Sequence, residues 1–481
     1  MHCHGVFDLI HIGHIKHLQA AKELGDILIV TLTPDKFVNK GPHRPAFPIK
    51  LRADAIASLD CVDFVAFNQW PTAVEAIQLL QPDLYIKGAV YEKGKRDHTD
   101  ALILEEETVK AVGGRLVLTD EDIYSASYLI NRYMDIFSPE AKNLLMNFRS
   151  KYTPEDIIGY LQSIQNVKVL VVGDTIIDEY QFCRTMGKAT KDPILGVKHL
   201  YTEKYAGSVL AIANHLSNFC DNVGLLSILG EIDPQKDFIL SKLNANISAE
   251  FIFKQNAPTI IKRRFLEEYK AVKLFEVYIM PEENLNSIDE AALSQKLEEM
   301  IPYYDVVIVA DYGHGMMTSR LIDLVCKKAV FLAINVQANT ANRGLNLISK
   351  YPRADFISTN EYELRLDAHD MEKNVRDIIQ DVTRKHSCKK LLMTMGEKGS
   401  LYFDSDFGFF ETPAFSVKTV DLVGAGDAVF SLVAPCVALE VPADIIGFIA
   451  NVVGAEACAI MGNKSSIKPE ALSRHITSLM K

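Results

Sequence analysis

Short apolar runs alternate with amphipathic stretches along the first quarter of the chain. The runs are typical of buried strands, and the stretches between them space their apolar residues as helices do. The pattern predicts strands over residues 26–32, 63–67, 83–88 and 115–120, and helices over 14–24 and 71–80. Strands separated by helices of this length indicate a parallel sheet that is covered on both faces.

A charged, helix-like stretch follows and contains no strand-like run. The strand pattern begins again at residues 168–174 and returns at 223–230, 305–311, 330–336, 355–360 and 390–403. A chain of 481 residues is too long for one ordinary hydrophobic core. We therefore predict a first α/β domain at 1–137, a helical linker at 138–165 and a larger α/β domain at 166–481.

The charge balance limits the class of partner. Acidic residues outnumber basic ones by 62 to 51, which gives a net charge of −11. This balance argues against broad binding to nucleic acid or to an anionic membrane, and we predict neither partner. The longest apolar stretch, 428–439, contains Ser431 and Pro435, so no membrane span is predicted.

The N-terminus and the cysteines indicate the compartment. No basic segment leads into an apolar run at the N-terminus, so no secretory signal is predicted. The eight cysteines are scattered and include no CxxC pair. In a chain of this length they are typical of reduced thiols in a cytoplasmic protein.

The segment from His4 to His14 reads HGVFDLIHIGH and leads directly into a predicted helix. A glycine-bearing loop at a helix start offers free N–H groups and the positive end of the helix dipole, which suits a nucleotide phosphate. His11 and His14 are spaced so that both imidazoles can donate to phosphate oxygens as charge builds in a transition state. Two other interpretations stay open: ordinary surface histidines, or a metal site of the clustered His and Cys residues, whose spacing fits no common zinc pattern.

This segment resembles the nucleotidyltransferase superfamily that includes glycerol-3-phosphate cytidylyltransferase and heptose-1-phosphate adenylyltransferase. The resemblance covers residues 1–135 and implies a Rossmann-like domain in which His11, His14 and Lys40 are catalytic. The residues that it implies at the nucleotide are Gly5, Phe7, Asp8, Gly13, Arg44, Arg52, Lys87, Ser125 and Ser127.

The N-terminal part departs from this family at three points. Val90 stands where the family has an acidic residue in its KGxDY segment, and Ala126 replaces a hydroxyl residue of its Ser-Thr-Thr motif. Only residues 1–3 precede His4, although the family's first strand lies just upstream of the first motif. We therefore expect that strand to lie before Met1, which would leave the central position of the sheet empty in this chain.

Near the C-terminus, the segment DLVGAGD (421–427) leads into a strongly apolar predicted helix. Its small residues allow a tight turn that exposes N–H groups to a transferred phosphoryl group. Asp427 can accept the proton of an attacking hydroxyl there. Alone, the segment could also be a glycine turn capped by an aspartate. Two motifs accompany it: a TxGxxG loop at 394–399, which suits a triphosphate, and the pair Asn360 and Glu363, which could order Mg²⁺ and its waters.

In this order the motifs resemble the ribokinase-like PfkB carbohydrate kinases over residues 168–470. The resemblance implies a ribokinase-like α/β domain with a small β lid, formed by strands around 180–200 and 258–278, that often pairs two subunits. It implies that Asp427 is the catalytic base and that Asp178 and Gly207 bind the sugar. The implied nucleotide-binding residues are Asn360, Glu363, Thr394, Gly396, Gly399, Gly424, Ala425 and Gly426, with Glu363 also at the metal.

The expected sugar pocket departs from the family. Its GGxxN segment reads Ala-Gly-Ser-Val-Leu at 206–210, without the first glycine and the asparagine. Residues 311–315 match the DYxKG stretch of heptose-7-phosphate kinases, but Asn-Val-Gln at 335–337 stands where those kinases have Asp-Pro-Lys. The phosphoryl-transfer residues are thus expected to be kept, and the sugar contacts to differ.

Together the two resemblances imply a bifunctional transferase that makes a nucleotide-activated sugar, similar to the bifunctional heptose kinase/adenylyltransferases with the domain order reversed. ATP would phosphorylate a sugar or sugar phosphate, and ATP or CTP would then give its nucleotidyl group to the product, with Mg²⁺ at both steps. A homodimer is expected. Two alternatives stay open: a nucleotidyltransferase whose kinase-like half only binds a sugar, and an enzyme with another product, such as a CDP-linked ketose or polyol.

Overall fold

The computed structural model describes residues 1–38, 44–88, 100–119, 137–269, 271–342, 344–415 and 419–481. These residues form two compact units, one made of Met1–Pro154 with Glu470–Lys481 and the other of Glu155–Pro469. The division falls inside the predicted linker, and the domain boundaries expected at residues 137 and 165 stay predictions.

A parallel sheet forms the centre of the first unit. Its strands in the described residues are β1 (His2–Gly5), β2 (Ile29–Leu32), β3 (Phe64–Phe67), β4 (Leu84–Gly88) and β5 (Arg115–Thr119). They lie in the order β3-β2-β1-β4-β5, which confirms the four strands that the apolar runs predicted. In β1, His2 pairs with Ile29 on one side and with Tyr85 on the other. The expectation of an empty central position is therefore wrong, because residues 2–5 themselves form that strand.

Helices connect these parallel strands and cover the sheet. They are α1 (Ile12–Glu23), α2 (Ile49–Ala57), α3 (Val74–Leu80) and α4 (Asp100–Ala111). Leu18 of α1 and Ile56 of α2 are fully buried in one cluster with Cys3 and Val30 of the strands. This core holds the end of β1 next to the start of α1, and the loop between them carries the first motif.

Two helices form the segment that was predicted as a linker. Helix α5 (Pro139–Lys151) begins after Ser138, whose Oγ accepts the N–H of Ala141 at 3.2 Å as an N-cap. Helix α6 (Pro154–Ser163) follows and leads into the second unit.

A large sheet forms the centre of the second unit. Its strands in the described residues are β6 (Lys168–Gly173), β9 (Asn222–Ile232), β10 (Ile247–Pro258), β13 (Val306–Asp311), β14 (Phe331–Val336), β15 (Phe356–Asn360), β16 (Lys390–Thr394), β17 (Ser400–Asp404) and β18 (Gly408–Thr412). They lie in the order β10-β9-β6-β13-β14-β15-β16-β17-β18. Neighbours from β10 to β16 are parallel, and β17 and β18 add an antiparallel edge. Every apolar run predicted as a strand in this half is therefore confirmed.

Helices cover this sheet as the parallel connections require. They are α7 (Ser208–Leu216), α8 (Lys236–Lys242), α9 (Ser287–Met300), α10 (Ser319–Lys328), α11 (Glu361–Ala368), α12 (Val375–Lys385), α13 (Ala425–Ala438) and α14 (Ala443–Cys458). Helix α13 is buried along nearly its whole length because it is apolar on all sides.

A smaller sheet consists of β7 (Thr175–Lys188), β8 (Leu195–Gly207), β11 (Ile260–Glu267) and β12 (Val272–Ile279), in the order β12-β11-β7-β8. Strand β7 begins two residues after β6 ends, so one chain segment leads directly from the large sheet into the small one. This sheet is the β lid expected from the sequence.

Helix α15 (Pro469–Leu479) is the C-terminal helix. Arg149 of α5 donates to the carbonyl oxygen of its Leu479 at 2.7 Å, which contributes to placing residues 470–481 with the first unit. All eight cysteines are free thiols. Across the described ranges, no helix has the length and apolar character that a bilayer crossing requires.

Candidate active sites

The loop between β1 and α1 carries the first motif in a sharply turned backbone. Phe7 and Leu9 have φ angles of 48° and 58°, in the left-handed region. A Cβ added to Gly5 would lie 3.0 Å from the Phe7 ring. Glycine at position 5 therefore allows the ring of Phe7 to fold back against the end of the strand.

His11 and His14 lie against each other at the start of α1. Their ring centroids are 3.9 Å apart with planes at 25°, and Phe7 meets His14 edge-on. Nδ1 of His11 accepts the N–H of Gly13 at 3.2 Å, so the proton of the neutral ring is on Nε2. Nε2 has no partner among the described residues, and burial lowers the pKa of His11. This ring can therefore donate one hydrogen bond to a phosphate oxygen.

Asp8 connects this loop to the predicted basic segment. Its Oδ2 accepts the N–H of Ala46 at 2.8 Å, and its Oδ1 accepts the N–H of Phe47 at 3.1 Å. The guanidinium of Arg44 lies 3.8 Å from Oδ2, and both side chains are buried. Asp8 thus connects the loop of the first motif to the segment that carries Arg44.

Arg52 is buried beneath the same loops. Its guanidinium donates to the carbonyl oxygens of Phe47 at 3.0 Å and Thr33 at 2.8 Å, and to that of Val6. It also pairs with Asp35 at 2.6 Å. Only 2% of Arg52 is exposed. In this arrangement Arg52 joins the segments around the first motif, and its predicted contact with a nucleotide stays a prediction.

Lys87 lies at the end of β4, next to the first motif. Its Nζ is 3.2 Å from Oε2 of Glu105 and 3.4 Å from the carbonyl oxygen of His4. The Tyr85 hydroxyl donates to the same Glu105 oxygen at 2.8 Å. Lys87 therefore connects β4 to the first residue of the motif, His4 at the end of β1. Three further predicted residues, Lys40, Ser125 and Ser127, lie outside the described residues.

His2 of β1 is buried and His4 is half-buried, and both bond to the same threonine. Thr31 Oγ1 bonds to Nε2 of His2 at 2.7 Å and to Nδ1 of His4 at 2.8 Å. Burial lowers the pKa of both rings to about 3, and that of His17 to about 4. Within the described part of the chain, no group of three or more His, Cys, Asp or Glu side chains is placed to hold a metal ion. The interpretation of this cluster as a metal site thus has no support there.

In the second unit, the turn before α13 requires glycine. Gly424 has a φ of 84°, and a Cβ at this position would lie 2.3 Å from Oδ1 of Asn463. Ala425 and Gly426 are the first residues of α13, where backbone N–H groups have no acceptor within the helix. A Cβ on Gly426 would meet no atom within 4 Å, so space remains at the helix start for a ligand.

Asp427 lies in the first turn of α13 and is 7% exposed. Its Oδ1 accepts the hydroxyl of Tyr312 at 2.8 Å and the side-chain N–H of Gln337 at 3.1 Å. Burial raises the pKa of Asp427 to about 6; the charge of Asp178 acts in the same direction, and Tyr312, Lys262 and Gln337 oppose it. The group is therefore ionised at neutral pH and has the affinity for a proton that a general base needs.

The structure brings Asp178 and Gly207 together where β7 meets β8. A Cβ on Gly207 would lie 2.3 Å from Oδ2 of Asp178, so only glycine leaves room for this carboxylate. Asp178 also pairs with Arg264 of β11 and accepts the side-chain N–H of Asn463 at 3.0 Å. The same Asn463 contacts the Gly424 turn, so the predicted sugar residues and the predicted anion-binding turn share a neighbour.

Asn360 and Glu363 cap the start of α11. The Asn360 side chain accepts the N–H of Glu363 at 2.9 Å, and the Glu363 carboxylate accepts the N–H groups of Asn360 and Ala338, both at 3.2 Å. This is a capping box, with the first residue and the glutamate three positions later bonded reciprocally. Burial raises the pKa of Glu363 to about 7.

The TxGxxG loop lies beside this helix start. Thr394 pairs with Asn360 in the register of β16 and β15, so the two nucleotide motifs meet at the carboxyl edge of the sheet. Gly396 and Gly399 have φ angles of 59° and 100°. A Cβ on Gly399 would lie 2.0 Å from the carbonyl oxygen of Thr412, so this turn also requires glycine. Ligands of open parallel sheets bind at this edge.

Family models match both parts of the chain. The model described as pfkB family carbohydrate kinase matches residues 166–470, well over half of the chain. The chain belongs to the pfkB carbohydrate kinase family. The cytidylyltransferase-like model matches residues 2–132, so that part precedes the pfkB part. The comparisons do not support our expectation that this order is reversed relative to the bifunctional relatives.

Curated proteins named Bifunctional protein HldE are similar to parts of this chain. The one from Campylobacter jejuni serotype O:2 is 26% identical over 287 residues, 58% of each chain. The one from Syntrophotalea carbinolica is 37% identical over 134 residues, 27% of this chain and 26% of its own. The chain thus spans 58% of the length of the first relative, and the activity of that whole protein does not follow from the alignment alone.

Solved structures similar to this chain are pfkB-type kinases. Escherichia coli phosphofructokinase-2 in complex with potassium superposes with a TM-score of 0.54 at 14% identity, over 66% of this chain and 100% of the other. Arabidopsis thaliana ribokinase complexed with ribose and ATP gives 0.50 at 16% identity, over 66% and 99%. At these identities the similarity shows the fold alone, a ribokinase-like α/β domain.

Four residues of the pfkB site were missed at the sequence level: Tyr312, Gln337, Arg264 and Asn463. Gln337 was noticed only as a departure from Asp-Pro-Lys, and Tyr312 only as part of a matched stretch. No local motif marks Arg264 or Asn463. Arg264 reaches Asp178 because β11 pairs with β7, and Asn463 reaches it from the segment that follows α14. A local sequence pattern does not encode either contact.

The altered GGxxN segment has a structural outcome. Leu210, at the position of the family's asparagine, is fully buried in α7. An apolar side chain in the core offers no hydrogen bond to a sugar. The surroundings of Asp178 therefore lack that contact, and Arg264 and Asn463 bond to its carboxylate instead.

Proposed function

We propose that this chain is a bifunctional transferase that makes a nucleotide-activated sugar. The pfkB part phosphorylates a sugar or sugar phosphate with ATP, and the cytidylyltransferase-like part then transfers a nucleotidyl group from ATP or CTP to the new phosphate, releasing pyrophosphate. The observation that carries the proposal is Asp427, a buried carboxylate at a helix start beside a glycine turn and within electrostatic range of Asp178.

In the kinase step, Asp427 accepts the proton of the sugar hydroxyl as its oxygen attacks the γ-phosphorus. With a pKa of about 6, the carboxylate is ionised at neutral pH. The N–H groups at the start of α13 stabilise the negative charge of the phosphoryl group in transfer. Asp178 accepts a hydrogen bond from another sugar hydroxyl and orients the substrate, beside Gly207.

ATP is expected at the carboxyl edge of β15 and β16, where Asn360, Thr394 and the two glycines of the loop meet. Glu363 fits Mg²⁺ through bound water, because its oxygens already accept backbone N–H groups yet retain further lone pairs. When bound, Mg²⁺ neutralises charge on the phosphates. The chain's own contribution is to hold the Glu363 carboxylate beside them.

In the nucleotidyl step, the first motif holds the triphosphate of the donor nucleotide. Nε2–H of His11 donates to a phosphate oxygen, and His14 lies against it at the positive end of α1. Arg44, positioned by Asp8, contributes a cation to the same site. The sugar phosphate made by the first reaction supplies the attacking oxygen.

Chemistry links the two steps, since the phosphate installed by the kinase is the nucleophile of the transfer. The relatives' printed name, Bifunctional protein HldE, supports a pairing of two activities. We further propose that the protein is cytoplasmic and pairs as a homodimer through its lid sheet.

A second candidate function is a nucleotidyltransferase with a sugar-binding pfkB part. Two observations favour it: Leu210 is buried where the family has a sugar-binding asparagine, and Arg264 already pairs with Asp178. In that case the pfkB part would bind a sugar without phosphorylating it.

Two variants separate these candidates. The purified protein is incubated with a panel of sugars and sugar phosphates plus ATP or CTP, and the products are identified by mass. Asp427→Asn should abolish sugar-dependent ADP formation, a loss of about two to four orders of magnitude, and spare nucleotidyl transfer to an added sugar phosphate. His14→Ala should give the opposite result. Asp367→Asn, a buried aspartate of the same unit that accepts the N–H of Ser349, serves as the matched control.

The outcomes are distinct. Loss of both activities in a folded single variant would contradict two independent sites. A wild type that forms no ADP with any sugar, while nucleotidyl transfer proceeds and sugar still binds, would replace the bifunctional proposal with the binding module.

A further inference from the structure

The two oxygens of the Asp427 carboxylate have different surroundings. Oδ1 accepts two hydrogen bonds, from the Tyr312 hydroxyl at 2.8 Å and from Nε2 of Gln337 at 3.1 Å. Within the described residues, no donor bonds to Oδ2. A carboxylate held through one oxygen cannot rotate about its Cβ–Cγ bond without breaking both bonds, so the second oxygen keeps one direction.

Gln337 is itself held in place. Its Nε2 also donates to Oδ1 of Asn335 at 3.1 Å, and the Asn335 side chain donates to the carbonyl oxygen of Ser358 at 2.7 Å. These contacts anchor the amide between the ends of β14 and β15. Its orientation towards Asp427 is therefore determined before any substrate binds.

Tyr312 is held from the backbone side. The Asn339 and Asn342 side chains donate to its carbonyl oxygen at 2.8 Å and 3.0 Å. The ring is buried, with 4% exposed, and its hydroxyl points to Asp427. Both donors thus directly follow central strands of the large sheet, Tyr312 after β13 and Gln337 after β14.

We propose that Tyr312 and Gln337 are positioning residues of the kinase reaction: they occupy Oδ1 of Asp427 and leave Oδ2 to accept the hydroxyl proton. The inference rests on the proposed kinase function. In the reaction the O–H bond breaks with its proton passing to Oδ2, the hydroxyl oxygen bonds to the γ-phosphorus, and the bond from that phosphorus to the bridging oxygen breaks to leave ADP.

The proposal has a consequence for pH dependence. The charged and polar groups that face Asp427 are Asp178 from β7, Lys262 from β11, Tyr312 after β13 and Gln337 after β14. The hydrogen bonds from Tyr312 and Gln337 and the charge of Lys262 lower the pKa of Asp427, whereas burial and Asp178 raise it. Removing the Tyr312 hydroxyl should therefore raise this pKa and move the acid limb of the rate profile to higher pH.

The test compares two buried tyrosines of the same unit. In Tyr312→Phe, we expect the acid limb of kcat/KM for the sugar to move up by about one pH unit, with kcat at neutral pH down by about tenfold and KM for ATP unchanged. Tyr351→Phe is the matched control, because the Tyr351 hydroxyl donates at 2.7 Å to the buried Asp311. Gln337→Leu should move the limb in the same direction by a smaller amount.

A crystal structure of the Tyr312→Phe, Gln337→Leu double variant gives a readout that does not need turnover. We expect the Asp427 carboxylate in more than one orientation there, and in its original one in Tyr351→Phe. An unmoved acid limb in Tyr312→Phe, an equal movement in Tyr351→Phe, or an unchanged carboxylate in the double variant would overturn the proposal. A wild type without sugar-dependent ADP formation would overturn the kinase function instead. The crystal structure of the double variant would then be the only test of whether Tyr312 and Gln337 orient the Asp427 carboxylate.

Discussion

Replacing Arg52 by methionine should destabilise the first unit by about 3–5 kcal/mol, because it removes the charged donor that three backbone carbonyl oxygens share. The guanidinium is 2% exposed and bonds to three backbone carbonyl oxygens and to Asp35. Methionine has a similar length and adapts its shape, so little cavity should form. The loss thus measures the hydrogen bonds rather than the packing.

The size of this expected loss of stability follows from the groups that accept hydrogen bonds from Arg52. A hydrogen bond to a charged group contributes about 1.5–3 kcal/mol, and the values do not simply add. The carboxylate of Asp35 is 43% exposed and can turn to water, so its share should be below about 1 kcal/mol. The three carbonyl oxygens, of Val6, Thr33 and Phe47, therefore account for most of the expected loss.

The assay uses the chain's one tryptophan, Trp70, which lies in the first unit. Its fluorescence in a urea titration reports unfolding of that unit and not of the other. With a slope of about 2 kcal/mol per molar urea, the midpoint should fall by about 2 M. Lys50→Met removes an exposed cation from the same helix and should change stability by less than about 0.5 kcal/mol.

One result would refute the reasoning. In that result, Arg52→Met has the same urea midpoint as Lys50→Met, but added CTP or ATP no longer stabilises it as it stabilises the wild type. Arg52 would then bind the nucleotide and would not hold the loops together. The two roles are distinguished because the first changes the midpoint without ligand and the second changes only the response to it.

Two further variants test the close contacts of the pfkB site. Gly207→Ala places a Cβ 2.3 Å from Oδ2 of Asp178 and should raise KM for the sugar by about tenfold or more through the displaced carboxylate. Gly454→Ala, whose Cβ would have its nearest contact at 3.5 Å, should leave steady-state kinetics unchanged, and equal effects of the two would show that the contact is irrelevant. Gly424→Ala combines a φ of 84° with a Cβ 2.3 Å from Asn463 and should abolish ADP formation. Gly408→Ala is the control, because Gly408 has a similar φ of 89° but open space around its Cβ position. It should lose about 1 kcal/mol of stability in a thermal melt and keep its activity. Retained activity in Gly424→Ala would disprove the role of the Gly424 turn.

Much of the fold could be predicted from the sequence because its signals are local. Each predicted strand of the large sheet appears within a few residues of its apolar run, as at 168–174 and 355–360. The first strand was misplaced, because its four residues, His2–Gly5, contain two histidines and a glycine and give no apolar run. They lie at the centre of the sheet all the same, because Thr31 bonds to one nitrogen of each histidine ring and Thr33 bonds to the other nitrogen of His4.

In the candidate sites too, residues of short local motifs could be predicted and long-range contacts could not. The motif residues His11, Asp427 and Glu363 could be named from short patterns, because a turn that exposes N–H groups at a helix start depends on neighbours in the chain. The hydrogen bonds of Arg52 to backbone carbonyl oxygens could not be predicted, because the pattern shows a cation but not the oxygens that surround it.

By itself, the sequence determined two α/β parts and the position of a glycine-bearing turn at a helix start in each, since apolar periodicity and glycine turns act over a few residues. Only the tertiary structure decided what surrounds those turns. Tyr312 and Gln337 meet Asp427 from 115 and 90 residues away, and Asn463 meets Asp178 from 285 residues away. These contacts depend on which strands are neighbours in the sheet. Strand order results from long-range packing of faces that are all apolar, so no local pattern specifies which loops converge on the carboxylate.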